Sequence, residues 1–381
     1  MTEPRRLVAL TTGRQDYGIL RSTLLLLRRT PGFELAVWAG GMHLQRRFGE
    51  PLVALKRDAI PVARELPFVA EPPSPVADTA AALAQAGAAL MEAAPDALLL
   101  VGDRTEALAA GLAATLARVP IVHLHGGEES EGAIDNACRH ALTKLSHLHL
   151  VSHRVHADRV IQMGEDPAHV VVVGPPALDH AYRDDLPGAE ELSKDLGVGL
   201  EPPVVLVTMH PATLGGPASA EVAAVADAMA RVTATYVVTA PNADAGGAEI
   251  AEHWRGWAGG RDRVALVDAL GDRRYWAMLR LADAVLGNSS SGIIEAPALG
   301  VPVVNVGDRQ RGRLRYGAVA DVPAEAGAVA VALREAIAAG RRVPGGDLGG
   351  YPSAPAAPRI VEALRRWEIP DPPRKRFRDL G

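Results

Sequence analysis

Short runs of aliphatic and β-branched residues recur along this chain, and most are apolar at nearly every position. A strand with one face in water alternates apolar and polar residues, whereas a strand covered on both faces does not. RLVALTT (6–12), FELAVWAGG (33–41), DALLLVGD (96–103), VPIVHLHGG (119–127), SHLHLVS (146–152) and HVVVVGPP (169–176) are runs of this kind. Between them lie segments with helical spacing: YGILRSTLLLLRRT, DTAAALAQAGAALMEAA, RTEALAAGLAATLAR and IDNACRHALTKLS. Buried strands separated by helices require a parallel sheet with helices on both faces. The pattern restarts after the polar, Pro-bearing stretch 182–203, with VVLVTMH (204–210), ATYVVTAPN (234–242), VALVDAL (264–270), AVLGNSS (284–290) and VPVVNVG (301–307). The sequence therefore predicts two α/β domains, 1–180 and 195–355, and a last helix within 353–370. The basic, Pro-rich tail DPPRKRFRDLG reads as a solvated C terminus.

Composition narrows the function classes. Of 381 residues, 48% are hydrophobic and 22% charged, and the formal net charge is −5. That excludes a bulk basic field for nucleic acid or anionic membrane, and predicts neither as a partner. A single cysteine, Cys138, excludes an internal disulfide framework and a cysteine-based zinc cluster. Its plain reading is a small half-buried thiol. The N terminus lacks the longer apolar core of a signal peptide, and the apolar runs are too short or too interrupted to span a bilayer. The expected location is the cytoplasm.

In parallel α/β sheets ligands bind outside the carboxyl ends of the strands, and the polar clusters of this chain fall there. TTGRQDYG (11–18) carries Arg14 and Asp16 between Gly13 and Gly18, at a turn before a helix that suits an anion. GDRTE (102–106) places Asp103 either in the site or as the N-cap of a capping box completed by Glu106. TMHPAT puts His210 directly after a strand, and PNADAGG contributes Asn242. Asn288, Ser289, Ser290, Ser291 and Gly292 end a strand and open a helix, with hydroxyls and N–H groups suited to a diphosphate. Glu295 follows one turn later, placed to accept two ribose hydroxyls, and GDRQRGR adds Arg309, Arg311 and Arg313. HLHGGEESEGAIDNACRH (123–140) combines His125, Glu128, Glu129, Glu131, Asp135, Asn136 and Arg139. No metal-ligand spacing stands out, so no metal or other cofactor is expected.

Taken in order, TTGRQDYG, GDRTEALA, HGGE…IDNACRHALTKLSHLH, RVIQMGED, VVGPPALD, TMHPAT, PNADAGG and NSSSGIIEAPALGVPVVNVGDRQRGR resemble the UDP-N-acetylglucosamine 2-epimerase family, over about residues 6–370. The likeness is closest to the hydrolysing branch, which forms N-acetylmannosamine and UDP. The resemblance implies a GT-B-type fold: two Rossmann-like domains with a cleft between them, and a C-terminal segment, 356–376, packing back on the first. It implies a UDP-sugar partner and a homodimer. It also implies chemistry in which a base removes the C2 proton as UDP leaves C1, and water then adds to the glycal-like intermediate with C2 inverted. On this basis Arg14, His210 and Ser289–Ser291 hold the diphosphate, Glu295 the ribose, and Arg313 belongs to the closing basic loop. Asp103, His125, Glu128, Asn136 and His210 form the catalytic set, and Arg139 lies on the helix lining the sugar.

Two positions depart from the family's usual pattern. This chain reads HLHGGE where HIEGGE is usual, so His125 stands at an acid–base Glu. It reads IDN where IDE is usual, so Asn136 stands at the second. Histidine moves protons near neutral pH, whereas an amide does not. Three readings therefore stand side by side: a hydrolysing 2-epimerase, a diverged member that cleaves a nucleotide–sugar or N-glycosidic bond without C2 inversion, and a UDP-sugar-binding pseudoenzyme.

Overall fold

The computed structural model describes residues 3–46, 52–71, 74–129, 135–211, 218–241, 246–315, 317–341 and 355–379. It divides into two compact units, residues 1–179 with 350–381, and residues 180–349.

The first unit contains β1 (Arg5–Thr11), α1 (Arg14–Leu27), β2 (Phe33–Gly40), α2 (Val53–Arg57), β3 (Val62–Leu66), α3 (Pro75–Ala93), β4 (Ala97–Val101), α4 (Thr105–Leu116), β5 (Ile121–Leu124), α5 (Asp135–Leu145), β6 (Leu148–Val151), α6 (Arg154–Gln162) and β7 (Val170–Val172). The second contains α7 (Ala189–Leu196), β8 (Val204–Thr208), α8 (Ala218–Met229), β9 (Thr235–Thr239), α9 (Gly247–Ala258), β10 (Val264–Val267), α10 (Gly271–Leu281), β11 (Ala284–Gly287), α11 (Ser291–Ala298), β12 (Val303–Val306), β13 (Val319–Val322) and α12 (Ala326–Ala339). The last helix, α13 (Ala356–Arg366), belongs to the first unit, where it packs on α1.

Both sheets are parallel throughout, in the orders β3-β2-β1-β4-β5-β6-β7 and β10-β9-β8-β11-β12-β13. Each is the doubly wound Rossmann order, which reverses direction at one point, between β1 and β4 and between β8 and β11. The apolar runs are explained by β1. Leu7 and Ala9 face a core that includes Leu20 and Leu24 of α1 with Ile360 and Leu364 of α13, while Val8 and Leu10 face Ala86 of α3 and Ala110 of α4. Two strands lack this signature. β3 and β13 are edge strands with alternating or mostly exposed residues, so VAREL and VADV do not read as strands.

The C-terminal tail departs from the sequence reading in part: its residues remain largely exposed, but several are tied to the rest of the first unit. Lys375 donates to the Ser146 carbonyl and to Glu165, Arg378 pairs with Asp166 at 2.8 Å, and the Arg378 N–H donates to the Gly164 carbonyl at 3.0 Å. The Phe377 ring lies against Gly164 and 5.1 Å from the Lys144 ammonium. Buried Glu165 also accepts from Lys144 at 2.6 Å and from His149 at 2.9 Å. Burial alone would raise its carboxyl, but the His149, Lys144 and Lys375 bonds hold it at about 2.

Asp179 fixes the start of α13. Its two carboxylate oxygens accept the Ala356 and Ala357 N–H groups at 2.6 and 2.8 Å, supplying a cap from a distant segment. Asp179→Ala is expected to destabilise the first unit by about 1–3 kcal/mol, with Asp179→Asn less affected because its oxygen still accepts. Equal denaturant midpoints for wild type and Asp179→Ala would contradict the cap.

Candidate active site

In the second unit the polar loops converge at the sheet's switch point. Gly287 ends β11 at φ +141°, and a Cβ there would lie 2.0 Å from the Thr208 carbonyl oxygen, so only glycine permits this approach. The neighbouring Asn288 is fully buried and clips the two loops together. Its Oδ1 accepts the His210 N–H at 2.8 Å and its Nδ2 donates to the His210 carbonyl at 2.9 Å. The Asn288 carbonyl in turn accepts from Arg309 at 3.1 Å and Gln310 at 2.9 Å. His210, Asn288 and Arg309 are therefore one hydrogen-bonded set.

At the start of α11 the geometry differs from the expected row of outward N–H groups. Those of Gly292 and Ile293 donate to the Ser289 and Ser290 carbonyls at 3.1 and 2.9 Å, and no side-chain cap bond forms. Ser291 instead hydrogen-bonds through its hydroxyl to Tyr275, a residue that carries no sequence motif. Half-buried Glu295 has its carboxyl raised by burial, against the opposing influence of Ser291 and Arg313. Asn242 and Glu131 lie outside the described residues.

In the first unit α1 starts at exposed Arg14, while Gly18 sits inside the helix rather than in the turn. Asp16 is buried and accepts from the Thr12 N–H at 3.0 Å and hydroxyl at 2.5 Å; burial raises its carboxyl despite these bonds. His43, unremarked in the sequence, shares a 2.9 Å hydrogen bond with Thr11. Across the switch point, the capping-box reading of Asp103 fails. Arg104 is the N-cap of α4, with no side-chain cap bond, and Glu106 pairs with Arg104 at 2.9 Å. Asp103 is drawn instead to Arg139, because a guanidinium only 3% exposed requires acceptors. Arg139 also donates to the Glu128 carbonyl at 2.8 Å and to Asn136 Oδ1 at 3.0 Å. The Asn136 Nδ2 donates to Glu129 at 2.6 Å, so both ends of this amide are engaged.

His125 follows β5 in the left-handed region at φ +66°, a conformation that costs a non-glycine residue free energy. Its Nδ1 lies 2.6 Å from Glu128 Oε1. A carboxylate accepts, so Nδ1 carries a proton, and whenever the ring is neutral its lone pair lies on Nε2. That Nε2 is buried and has no hydrogen-bond partner in the structure. Burial opposes the Glu128 charge, but His125, His156 and Arg139 hold the carboxyl well below the usual range. The structure thus brings Asp103, His125, Glu128, Asn136 and Arg139 into one network. Among the described residues no group of three or more His, Cys, Asp or Glu is arranged to hold a metal ion, and no helix is long and apolar enough to cross a membrane.

Two Rossmann-type units, each with its polar loops at a sheet switch point, define a GT-B-type fold. The sequence model of the UDP-N-acetylglucosamine 2-epimerase family matches residues 26–365, and the chain belongs to that family. It is 33% identical over 337 residues to the UDP-N,N'-diacetylbacillosamine 2-epimerase (hydrolyzing) of Legionella pneumophila, covering 87% of this chain and 89% of that one. It is 30% identical over 323 residues to the GDP/UDP-N,N'-diacetylbacillosamine 2-epimerase (hydrolyzing) of Campylobacter jejuni, covering 83% and 84%. Its fold matches the crystal structure of the Neisseria meningitidis UDP-GlcNAc 2-epimerase bound to UDP-GlcNAc, with a TM-score of 0.79 at 16% identity over 95% of this chain and 100% of that one.

The buried histidines make the first unit sensitive to acid. Desolvation lowers His43, His147 and His156 to about 4 and His123 to about 3, from the ordinary 6.5. Between these values the unfolded chain binds protons that the folded chain refuses, so stability is complete above pH 6.5 and falls towards pH 4. The raised carboxyls of Asp16, Asp135 and Asp179 act in the opposite sense. With the histidines in the majority, Tm is expected to drop steadily from about pH 6.5 to about pH 5. A flat or rising Tm over that range would refute the neutral buried state.

Proposed function

We propose that this chain is a hydrolysing 2-epimerase of a UDP-linked 2-acetamido sugar. The observation that carries this reading is the His125–Glu128 pair, which leaves Nε2 as an unpartnered base next to the Asp103–Arg139–Asn136 network. The names of the Legionella and Campylobacter relatives support a 2,4-diacetamido sugar as substrate, with UDP-N-acetylglucosamine as the simpler alternative.

In this reading His125 Nε2 takes the C2 proton, the C1=C2 double bond forms, and the C1–O bond breaks with UDP leaving. Arg14, His210, Ser289, Ser290, Ser291, Gly292, Arg309 and Arg313 stabilise the departing diphosphate, with Asn288 holding the His210 and Arg309 loops. Glu295 accepts the ribose hydroxyls, and Asn242 contributes to the same nucleotide set. Asp16 supports the Arg14 turn, and Arg139 orients Asp103 towards the sugar. A second acid then protonates C2 from the other face as water adds its hydroxyl to C1, the water's remaining proton going to that acid's carboxylate, and His125 releases its proton to solvent. Asp135, whose carboxyl is raised by burial and by the charge of Asp103, suits that role, because Asn136 cannot move protons.

Asn136 also favours a second reading, cleavage of the UDP-sugar bond without C2 inversion. Turnover of UDP-N-acetylglucosamine and UDP-N,N'-diacetylbacillosamine in deuterated water separates the two. The expected result is UDP release with deuterium at C2 of the inverted sugar. His125→Ala should lose about 10²–10⁴-fold in kcat, with UDP affinity changed less than about threefold. UDP release without label would overturn epimerisation, and binding without turnover of either substrate would favour the pseudoenzyme.

A cytoplasmic location and a homodimer belong to the same reading. The dimer is supported by the outer faces of α3 and α4, where Val76 (82% exposed), Met91 (71%), Leu112 and Leu116 (73%) lie exposed. These two helices carry only Asp78, Glu92 and the buried Glu106 as charged residues. Surface helices ordinarily present charge, and an uncharged face meets its own copy without repulsion. The pair of helices spans roughly 20 by 28 Å, roughly 560 Å², which is about 70% of the ~800 Å² per partner of a stable interface. Light scattering is expected to give a dimer for the wild type and a monomer for Met91→Lys/Leu116→Glu. A dimeric double variant would remove this face from the interface.

A further inference from the structure

Two residues outside the sequence motifs complete the histidine–carboxylate pair. Ser152, directly after β6, donates its hydroxyl to Glu128 Oε1 at 2.8 Å. A serine has one proton to give, so the 2.9 Å contact between Ser152 Oγ and His156 Nδ1 must run the other way, with His156 donating. The protons then follow a single direction: His156 Nδ1–H to Ser152, Ser152 O–H to Glu128, and on the far side His125 Nδ1–H to the same carboxylate oxygen. Ser152 and His156 are both buried, so the chain is shielded from competing water.

The backbone is built to hold this alignment. Gly127 adopts φ +77°, and a Cβ there would stand 2.3 Å from the His156 carbonyl oxygen, so the loop lies directly on α6. Arg159 of the same helix donates to the Gly127 carbonyl. The turn that places His125 in its strained conformation is thus gripped by α6, one residue before Glu128.

We propose that Ser152 and His156 are positioning residues for proton transfer, fixing Glu128 so that His125 presents Nε2 to the reacting carbon; this rests on His125 being the proton-moving group. The test uses the full-length chain with Ser152→Ala, Ser152→Thr and His156→Ala, assayed for UDP release from a UDP-2-acetamido sugar. Ser152→Ala and His156→Ala are expected to lower kcat about tenfold to a hundredfold, with KM and UDP affinity within about twofold. The pH–rate profile and the NMR titration of the His125 ring should both move, and Ser152→Thr, which keeps the hydroxyl, should recover most of kcat. Unchanged kcat, pH profile and His125 titration in both alanine variants would overturn the proposal while leaving His125 as base untouched. A shifted His125 titration with unchanged kcat would overturn it through the underlying reading, because His125 would be positioned but not used. Should Ser152→Ala fail to fold, His156→Ala gives the same readouts at a position further from the substrate.

Discussion

A buried guanidinium organises the first unit's site. Arg139 is too deeply placed to be hydrated, and a charge so placed is tolerated only with several good acceptors. Its acceptors come from three separate segments: Asp103 beyond β4, the Glu128 carbonyl beyond β5, and Asn136 one turn earlier on α5. Satisfying one cation therefore draws two strand-end loops and a helix to a common point. The position of Glu128 follows, and with it the orientation of His125. The cost of the strained His125 backbone is offset by this network and by the α6 contacts at Gly127.

The second unit solves its own assembly differently, with a neutral clip. Asn288 uses both ends of its amide on the His210 backbone, and its carbonyl anchors Arg309 and Gln310. A neutral amide can be fully buried at modest cost when every polar atom is paired. The loops that carry His210 and Arg309 are thereby set on a rigid frame, which also engages the Arg309 guanidinium itself. Asn288 reads in sequence as a ligand contact. Its burial and bonding make it the part that holds such contacts in place.

Much of the fold is legible in the chain because burial on both faces imposes a simple pattern. Strands covered by helices must be apolar at every position, and RLVALTT or VVLVTMH need no partner to be identified. β3 and β13 break the pattern because edge strands are covered only in part and keep exposed residues such as Glu65 and Asp321. The tail shows the same limit in reverse. Its basic, Pro-rich composition is that of a solvated segment, yet Glu165, buried on the first unit, gives Lys375 a partner that no local rule anticipates. Ser152 and His156 are likewise invisible to motif reading, since their significance comes from a carboxylate 24 and 28 positions away in the chain.

The sequence alone determines the two parallel α/β units, the placement of polar clusters at strand ends, and the family. These depend on local pattern and on residue order, which the chain carries explicitly. Only the tertiary structure decides which polar residues are engaged with one another: Asp103 with Arg139 rather than with its own helix, Asn136 bridging Glu129 and Arg139, and Glu128 gathering His125 and Ser152. Pairing of this kind is settled by desolvation. A buried polar group takes whichever partner packing brings within reach, and that partner is set by the fold rather than by the neighbouring letters.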